Sequence, residues 1–370
     1  MVCIAEVQRI MEFRRILQCV KNMALGFHFC AKNHLMPFYL IPMKGNHFCA
    51  TLVAIAFLSN QAWGQTVKSE DVFIHSGEDV LIGTLSHVKQ ARKSPNTLAI
   101  ILPGSGPTDR HGNGTAPSLQ TNMYDLLAQV LRAQGISTLQ VDKRGVGESS
   151  LKGGEGSLSY LGNVADYEAW WAFGRLAGYE SLVLVGHSEG GQIALTWAAK
   201  RRPEGLKGLV LLAPPGENAM DILWEQLSRQ IAPDSEYGQF AKTSLDSLRE
   251  GHLLGRSSPP ALLSLFRPSI QPYLVDWFQD EPMENLNALP ADLPIYVFYG
   301  GKDIQVQPSD AMRAWGAQNG PNAHLYQCPS MTHTLKSDIP GQRLATYSDP
   351  DLPLDADLVQ LLRAALETLK

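Results

Sequence analysis

LVLVGHSEGG, residues 182–191, sets a serine between glycines directly behind four apolar residues. A short apolar run that halts at glycine reads as the end of a strand buried on both faces. Gly186-His187-Ser188-Glu189-Gly190 fits G-x-S-x-G, a sharp strand-to-helix turn that holds its serine in a strained, presented conformation. Such a hydroxyl is a weak nucleophile unless a base lies within hydrogen-bond reach. The competing reading of these residues is an ordinary turn with a helix-capping serine.

The apolar texture recurs on both sides of this stretch. TLAIILPG (97–104), ISTLQVDKRG (136–145), GLVLLAPPG (208–216) and PIYVFYGGKD (294–303) are near-continuous apolar runs. Helical patterns fall between them, at 119–134, 164–176 and 192–200, and DVFIHSGEDVLIGTLSH (71–87) alternates as an antiparallel hairpin about Ser76-Gly77. The expected fold class is α/β, with a mostly parallel central sheet flanked by helices. The connection from Gly216 to Leu293 is too long for a plain loop and is broken by Pro259-Pro260, Pro268 and Pro272. It is predicted as a helical cap at about 217–293. A strand at 294–299, a helix at 309–318, the strand AHLYQC (323–328) and a helix over 355–370 complete the pattern.

Sites in such sheets lie at the carboxyl ends of the strands. Of the ten histidines, seven precede Ser188 or lie in its turn. His252 falls in the cap and His324 inside a strand pattern, whereas His333, in PSMTHTLK, follows the last strand and is the expected base, with His324 second. Asp303 ends a core strand 30 residues earlier and is the expected orienting acid, ahead of Asp292 and Asp338. ILPGSGPTDRHGN (101–113) ends another strand in glycines. The backbone N–H groups of Ser105 and Glu189 are the expected oxyanion donors, with Gly106 as an alternative to Ser105. The GSG lacks the Gly-Lys-Ser/Thr of a phosphate loop.

Taken together, these motifs resemble the α/β-hydrolase family from about Asp71 onward, and within it bacterial serine esterases and lysophospholipase-like hydrolases whose first loop reads like PGSGPTDR. VDKRGVGESS (141–150) is similar to that family's D-x-R-G-x-G-x-S turn, although His111 stands where relatives usually carry aspartate. The resemblance implies an α/β-hydrolase fold and a serine hydrolase acting on a small-molecule carboxylic ester through an acyl-serine, with His333 as base and then acid. It implies structural roles for Asp142, Arg144 and Gly145, and neither cofactor nor metal. A peptidase or thioesterase would use the same triad, and a non-catalytic ligand-binding protein on this scaffold would lack part of it. Trp224, Phe240, Leu262, Leu263, Phe266, Tyr273, Trp277 and Phe278 in the cap are each expected in its core, and together suggest an apolar acyl pocket.

Net charge is −5 over 370 residues with no dense basic run, which argues against nucleic acid or an anionic membrane surface as partner. MKGNHFCATLVAIAFLSNQAWGQT carries Lys44, an apolar run from Phe48 to Leu58, and small residues at Ala62 and Gly64. It is read as a signal peptide over 43–64, with translation beginning at Met43, residues 1–42 a spurious upstream extension and the hydrolase domain at 65–370. The run falls well short of the roughly 20 residues that span a bilayer, so no stable membrane insertion is expected after cleavage. The expected location is exported, periplasmic or extracellular. Cleavage would remove Cys3, Cys19, Cys30 and Cys49 and leave Cys328 alone, which excludes an internal disulfide.

Overall fold

Eight strands form one sheet in the order β1-β2-β4-β3-β5-β6-β7-β8 in the computed structural model, which describes residues 66–89, 96–115, 118–316, 323–342 and 344–369. The signal-peptide reading of 43–64 and the reading of 1–42 lie outside the described residues. β1 (Thr66–Ser76) and β2 (Asp79–Lys89) make the expected hairpin, longer than the alternating pattern indicated, and β2 pairs antiparallel with β4 (Ser137–Val141). From β4 outward the sheet is parallel, through β3 (Thr97–Leu102), β5 (Ser181–His187), β6 (Leu206–Leu212), β7 (Ile295–Gly300) and β8 (Ala323–Cys328).

The continuous apolar runs are explained by helices on both faces. Along β3 and β5, Ile100, Leu102, Leu182 and Leu184 join one core, while Ala99, Ile101, Val183 and Val185 join the other. This is the two-residue period of a strand buried on both sides. Helices α1 (Met123–Ala133) and α11 (Ala356–Glu367) cover one face, and α2 (Tyr160–Leu176) and α3 (Glu189–Arg201) cover the other. The α2 start is capped by Ser159, whose side chain accepts from the Gly162 N–H, and the α11 start by Asp355, which accepts from Asp357 and Leu358.

Between β6 and β7 the chain forms a helical insertion, called the cap below. It consists of α4 (Ala219–Ser228), α5 (Glu236–Arg249), α6 (Leu263–Phe266), α7 (Gln271–Phe278) and α8 (Pro282–Ala288). Proline occupies the first turn of α7 and of α8, where its missing N–H costs nothing, so the prolines divide the cap into short helices. Helices α9 (Pro308–Gly316) and α10 (Ala345–Ser348) complete the fold. Among the described residues, no helix is long and apolar enough to cross a membrane.

Candidate active site

β5 ends at His187 and α3 begins at Glu189, leaving Ser188 alone in the turn with φ 53° and ψ −123°. That backbone is strained for a residue with a side chain, and it persists because its surroundings fix it. The Ser188 N–H donates to Leu212 O over 2.9 Å, and its carbonyl accepts from the Gly191 N–H at 2.9 Å to open the helix. A Cβ at Gly186 would overlap the backbone of Gly190 and Gly191, and one at Gly190 would overlap the carbonyl oxygens of Leu102 and Pro103. The glycines are therefore a steric condition for the turn.

His333 lies in the loop after β8, where Thr332 N–H donates to Lys336 O at 2.8 Å. Its Nδ1–H donates to Asp303 Oδ2 over 2.8 Å. Asp303 Oδ1 accepts the N–H groups of Gln305 at 2.7 Å and Val306 at 3.0 Å, so both carboxylate oxygens are engaged. With Nδ1 carrying the proton, Nε2 of the neutral ring is left with its lone pair. Ser188, Asp303 and His333 are all buried.

His187 joins this loop to the turn. Its Nε2–H donates to His333 O at 2.8 Å, and the two rings lie 4.8 Å apart. Its Nδ1 accepts from the Tyr124 hydroxyl at 2.9 Å, and Tyr124 Oη accepts from the Gly104 N–H at 2.8 Å. Burial, with His333 beside it, holds the His187 imidazole well below its ordinary pKa and so neutral. The PGSG loop lies against the turn: a Cβ at Gly104 would stand 3.3 Å from Ser188 Cβ. Among the described residues, neither the Ser105 N–H nor the Glu189 N–H donates to a protein acceptor.

The rival residues sit elsewhere. His324 is exposed on β8 and stacks on Tyr296 at 5.0 Å, while His252 and Asp292 are exposed in the cap and before β7. Asp338 is only half-buried. Asp142 accepts the Arg110 N–H at 2.7 Å and the Glu148 N–H at 3.0 Å and pairs with the Arg110 guanidinium, as befits a structural residue. Arg144 pairs with Asp79 and Asp166, each at 2.6 Å, and so ties the β1–β2 hairpin to α2.

A family model described as "Serine aminopeptidase, S33" matches residues 119–252. The proline iminopeptidase of Lactobacillus delbrueckii subsp. lactis is 26% identical over 145 residues, 39% of this chain and 46% of that protein. That of L. delbrueckii subsp. bulgaricus is 30% identical over 95 residues, 26% of this chain and 32% of that one. The chain thus spans less than half the length of these curated relatives. The esterase Pf2001 of Pyrococcus furiosus superposes with TM-score 0.51 at 14% identity, covering 82% of this chain and 91% of that structure. Est1E of Butyrivibrio proteoclasticus does so with TM-score 0.50 at 16% identity, covering 80% and 98%. The chain is an α/β-hydrolase by fold.

Two polar groupings near the turn escaped the sequence reading. Lys143, buried, donates to Gly104 O and lies 3.9 Å from Glu189 Oε2, while the Tyr273 hydroxyl of the cap donates to Glu189 Oε1. Burial pulls the Lys143 ammonium below its ordinary pKa, opposed by Glu189. The available signal was a lysine in a turn whose neighbours had to be buried. The second grouping surrounds Asp280, between α7 and α8. Its carboxylate accepts from Gln192 Nε2 at 2.9 Å, Asn285 Nδ2 at 3.0 Å and the Tyr160 hydroxyl at 3.1 Å, with Thr196 Oγ1 at 2.9 Å. Gln192 and Thr196 belong to α3, so these bonds fasten the cap to the helix that starts at the turn.

Several of the cap aromatics lie in the core, as expected for each of them. Phe266, Tyr273, Trp277 and Phe278 are buried, Trp277 stacks on Tyr160 at 6.2 Å, and its Nε1–H donates to Gln192 Oε1 at 2.9 Å. Leu262 is buried with them, Trp224 and Phe240 are partly buried, and Leu263 is exposed.

Proposed function

We propose that the protein is a serine hydrolase that cleaves carboxylic esters of small-molecule substrates through an acyl-Ser188 intermediate. The observation that carries this reading is Ser188 on its strained turn, whose neighbour His187 is bonded to the main chain of a histidine whose own Nδ1–H is held by a buried aspartate. In this mechanism His333 Nε2 takes the Ser188 hydroxyl proton as Oγ attacks the acyl carbon. The same nitrogen then gives that proton to the departing alkoxide. Water, deprotonated by His333, attacks the acyl carbon; the acyl–Oγ bond breaks, Ser188 Oγ takes the proton back from His333, and the acid leaves. The N–H groups of Ser105 and Glu189 donate to the oxyanion, and Asp303 stabilises the imidazolium. No step calls for a cofactor or metal.

Amide hydrolysis is a second reading, favoured by the partial likeness to proline iminopeptidases. A panel of esters, amides and thioesters of one acyl group, matched in leaving-group reactivity, separates the two. Turnover confined to amides would overturn the ester reading. Absence of Ser188 labelling by a small fluorophosphonate, with no turnover of any class, would overturn the hydrolase reading itself.

We further propose that the chain is exported and begins near Gln65 once processed, following the signal pattern at 43–64. Cys328 would then be its single thiol. Cys328 is buried, and burial raises its pKa to about 12, so it should resist alkylation in folded protein. Intact mass of exported material, with thiol titration before and after denaturation, checks both points. Finding residues 1–42 on that material would refute the signal reading.

A further inference from the structure

We infer that Lys143 is a positioning residue for the oxyanion hole: by gripping the carbonyl oxygen of Gly104, it fixes the direction in which the N–H of Ser105 points. The inference rests on the proposed hydrolase reading and deepens it.

The Gly104 carbonyl and the Ser105 N–H are two ends of one planar trans peptide group, so they point in opposite directions. Whatever holds the oxygen therefore aims the N–H. Lys143 Nζ, on the turn after β4, donates to that oxygen. Glycine at 104, and at 106 with φ 75°, leaves this loop conformationally permissive, so the plane would rotate readily if left unheld. The preceding N–H, that of Gly104, is held from the other side by Tyr124 Oη at 2.8 Å. Residue 104 is thus fixed at both its donor and its acceptor.

The cation also acts electronically. An ammonium on a carbonyl oxygen polarises the amide and strengthens its N–H as a donor, the more so in a site shielded from water. Keeping a buried lysine charged requires a counter-charge, and Glu189 supplies it from 3.9 Å. Glu189 is also the residue whose own N–H is the second proposed oxyanion donor. Its other carboxylate oxygen accepts from Tyr273, on cap helix α7. One chain, Tyr273 to Glu189 to Lys143 to Gly104, therefore reaches from the cap to both donors. The Lys143 ammonium does no proton transfer in this scheme.

The test acylates Ser188 with an activated ester carrying a 13C-labelled carbonyl and follows its stretching band by infrared difference spectroscopy during turnover. Hydrogen bonds from the oxyanion donors lower that frequency. Lys143→Met should raise the band and lower kcat about 10–100-fold, a fraction of the loss that follows removal of a whole oxyanion donor. KM should stay within about threefold, since the ground-state carbonyl gains less from the donors than the oxyanion does. Lys143→Arg, which keeps a charged donor, should recover part of both the frequency and the rate. An unmoved band in Lys143→Met, or lost rate without a band shift, overturns the inference. Should that variant not fold, Lys143→Gln is read by the same criterion. No acyl band in the wild-type protein would instead remove the hydrolase reading on which the inference stands.

Discussion

The imidazole Nε2–H of His187 donates to the main-chain carbonyl of His333 across 2.8 Å, so the residue before the turn serine fixes the backbone that carries the proposed base. The bond requires a neutral ring with its proton on Nε2, because Nδ1 must accept from Tyr124. Protonating His187 would turn that acceptor into a second donor facing a hydroxyl, inside a buried site.

This tautomer makes stability pH-dependent. Burial depresses the folded-state pKa of His187, whereas the unfolded chain takes up the proton near pH 6.5. Below that pH the unfolded state binds more protons. The contribution is therefore complete above about pH 6.5 and is lost as pH falls, by at most about 1.4 kcal/mol per pH unit. His111 acts in the opposite sense, since its hydrogen bond to Asp125 raises its pKa; that stabilisation is present in acid and lost as pH rises through the folded value. Solvent screens this half-exposed pair, so its effect should be small. Urea midpoints between pH 7.5 and 5 should fall toward acid, and His187→Gln should flatten the trend. An unchanged trend in that variant would refute the assignment.

Ser188→Ala, His333→Ala and Asp303→Asn should each leave a folded protein with ester turnover reduced by several powers of ten. Because these groups act as one unit, the Ser188/His333 double variant should be scarcely slower than either single one. Multiplicative losses would show that the two act separately.

Gly190→Ala tests the steric condition on the turn. The added methyl meets the carbonyl oxygens of Leu102 and Pro103, which cannot withdraw without disturbing β3. A loss of about 1–3 kcal/mol or more is expected, together with loss of fluorophosphonate labelling. Gly178, where a Cβ would meet nothing, is the matched control for space alone, although its φ of 90° also disfavours alanine.

Asp280→Ala should loosen the cap. The variant removes the carboxylate that accepts from the buried Gln192 amide and the half-buried Asn285 amide, at a cost of about 1–3 kcal/mol for a buried group left unsatisfied. Denaturant midpoints measure the loss. Accelerated labelling of Ser188 by bulky fluorophosphonates would mark it as cap opening, whereas unchanged labelling would place the damage elsewhere.

The fold was legible because strands buried on both faces leave a continuous apolar signature, and β8 runs over the same six residues that AHLYQC marks. The turn at Ser188 and the loops holding Asp303 and His333 were legible as positions because each follows the apolar run of a strand. The Lys143–Glu189 pair was not, since opposite charges 46 residues apart leave no periodic trace. Nor was Asp280, whose partners come from α2, α3 and α8. The cap aromatics were each legible as core, but their partners were not, because those depend on what α3 presents to them. Trp277, bonded to Gln192 and stacked on Tyr160, is a case in point.

The cap and the sheet share a single core, in which Leu223, Leu245 and Trp277 join Ile193 of α3 and Leu211 of β6. The cap is consequently not an interchangeable cassette. A chimera that imported a relative's cap at the β6 and β7 junctions would set foreign side chains against a helix shaped for these ones, and would need α3 exchanged with it. Changes in the cap are thus coupled to changes on α3, the helix that begins just after Ser188.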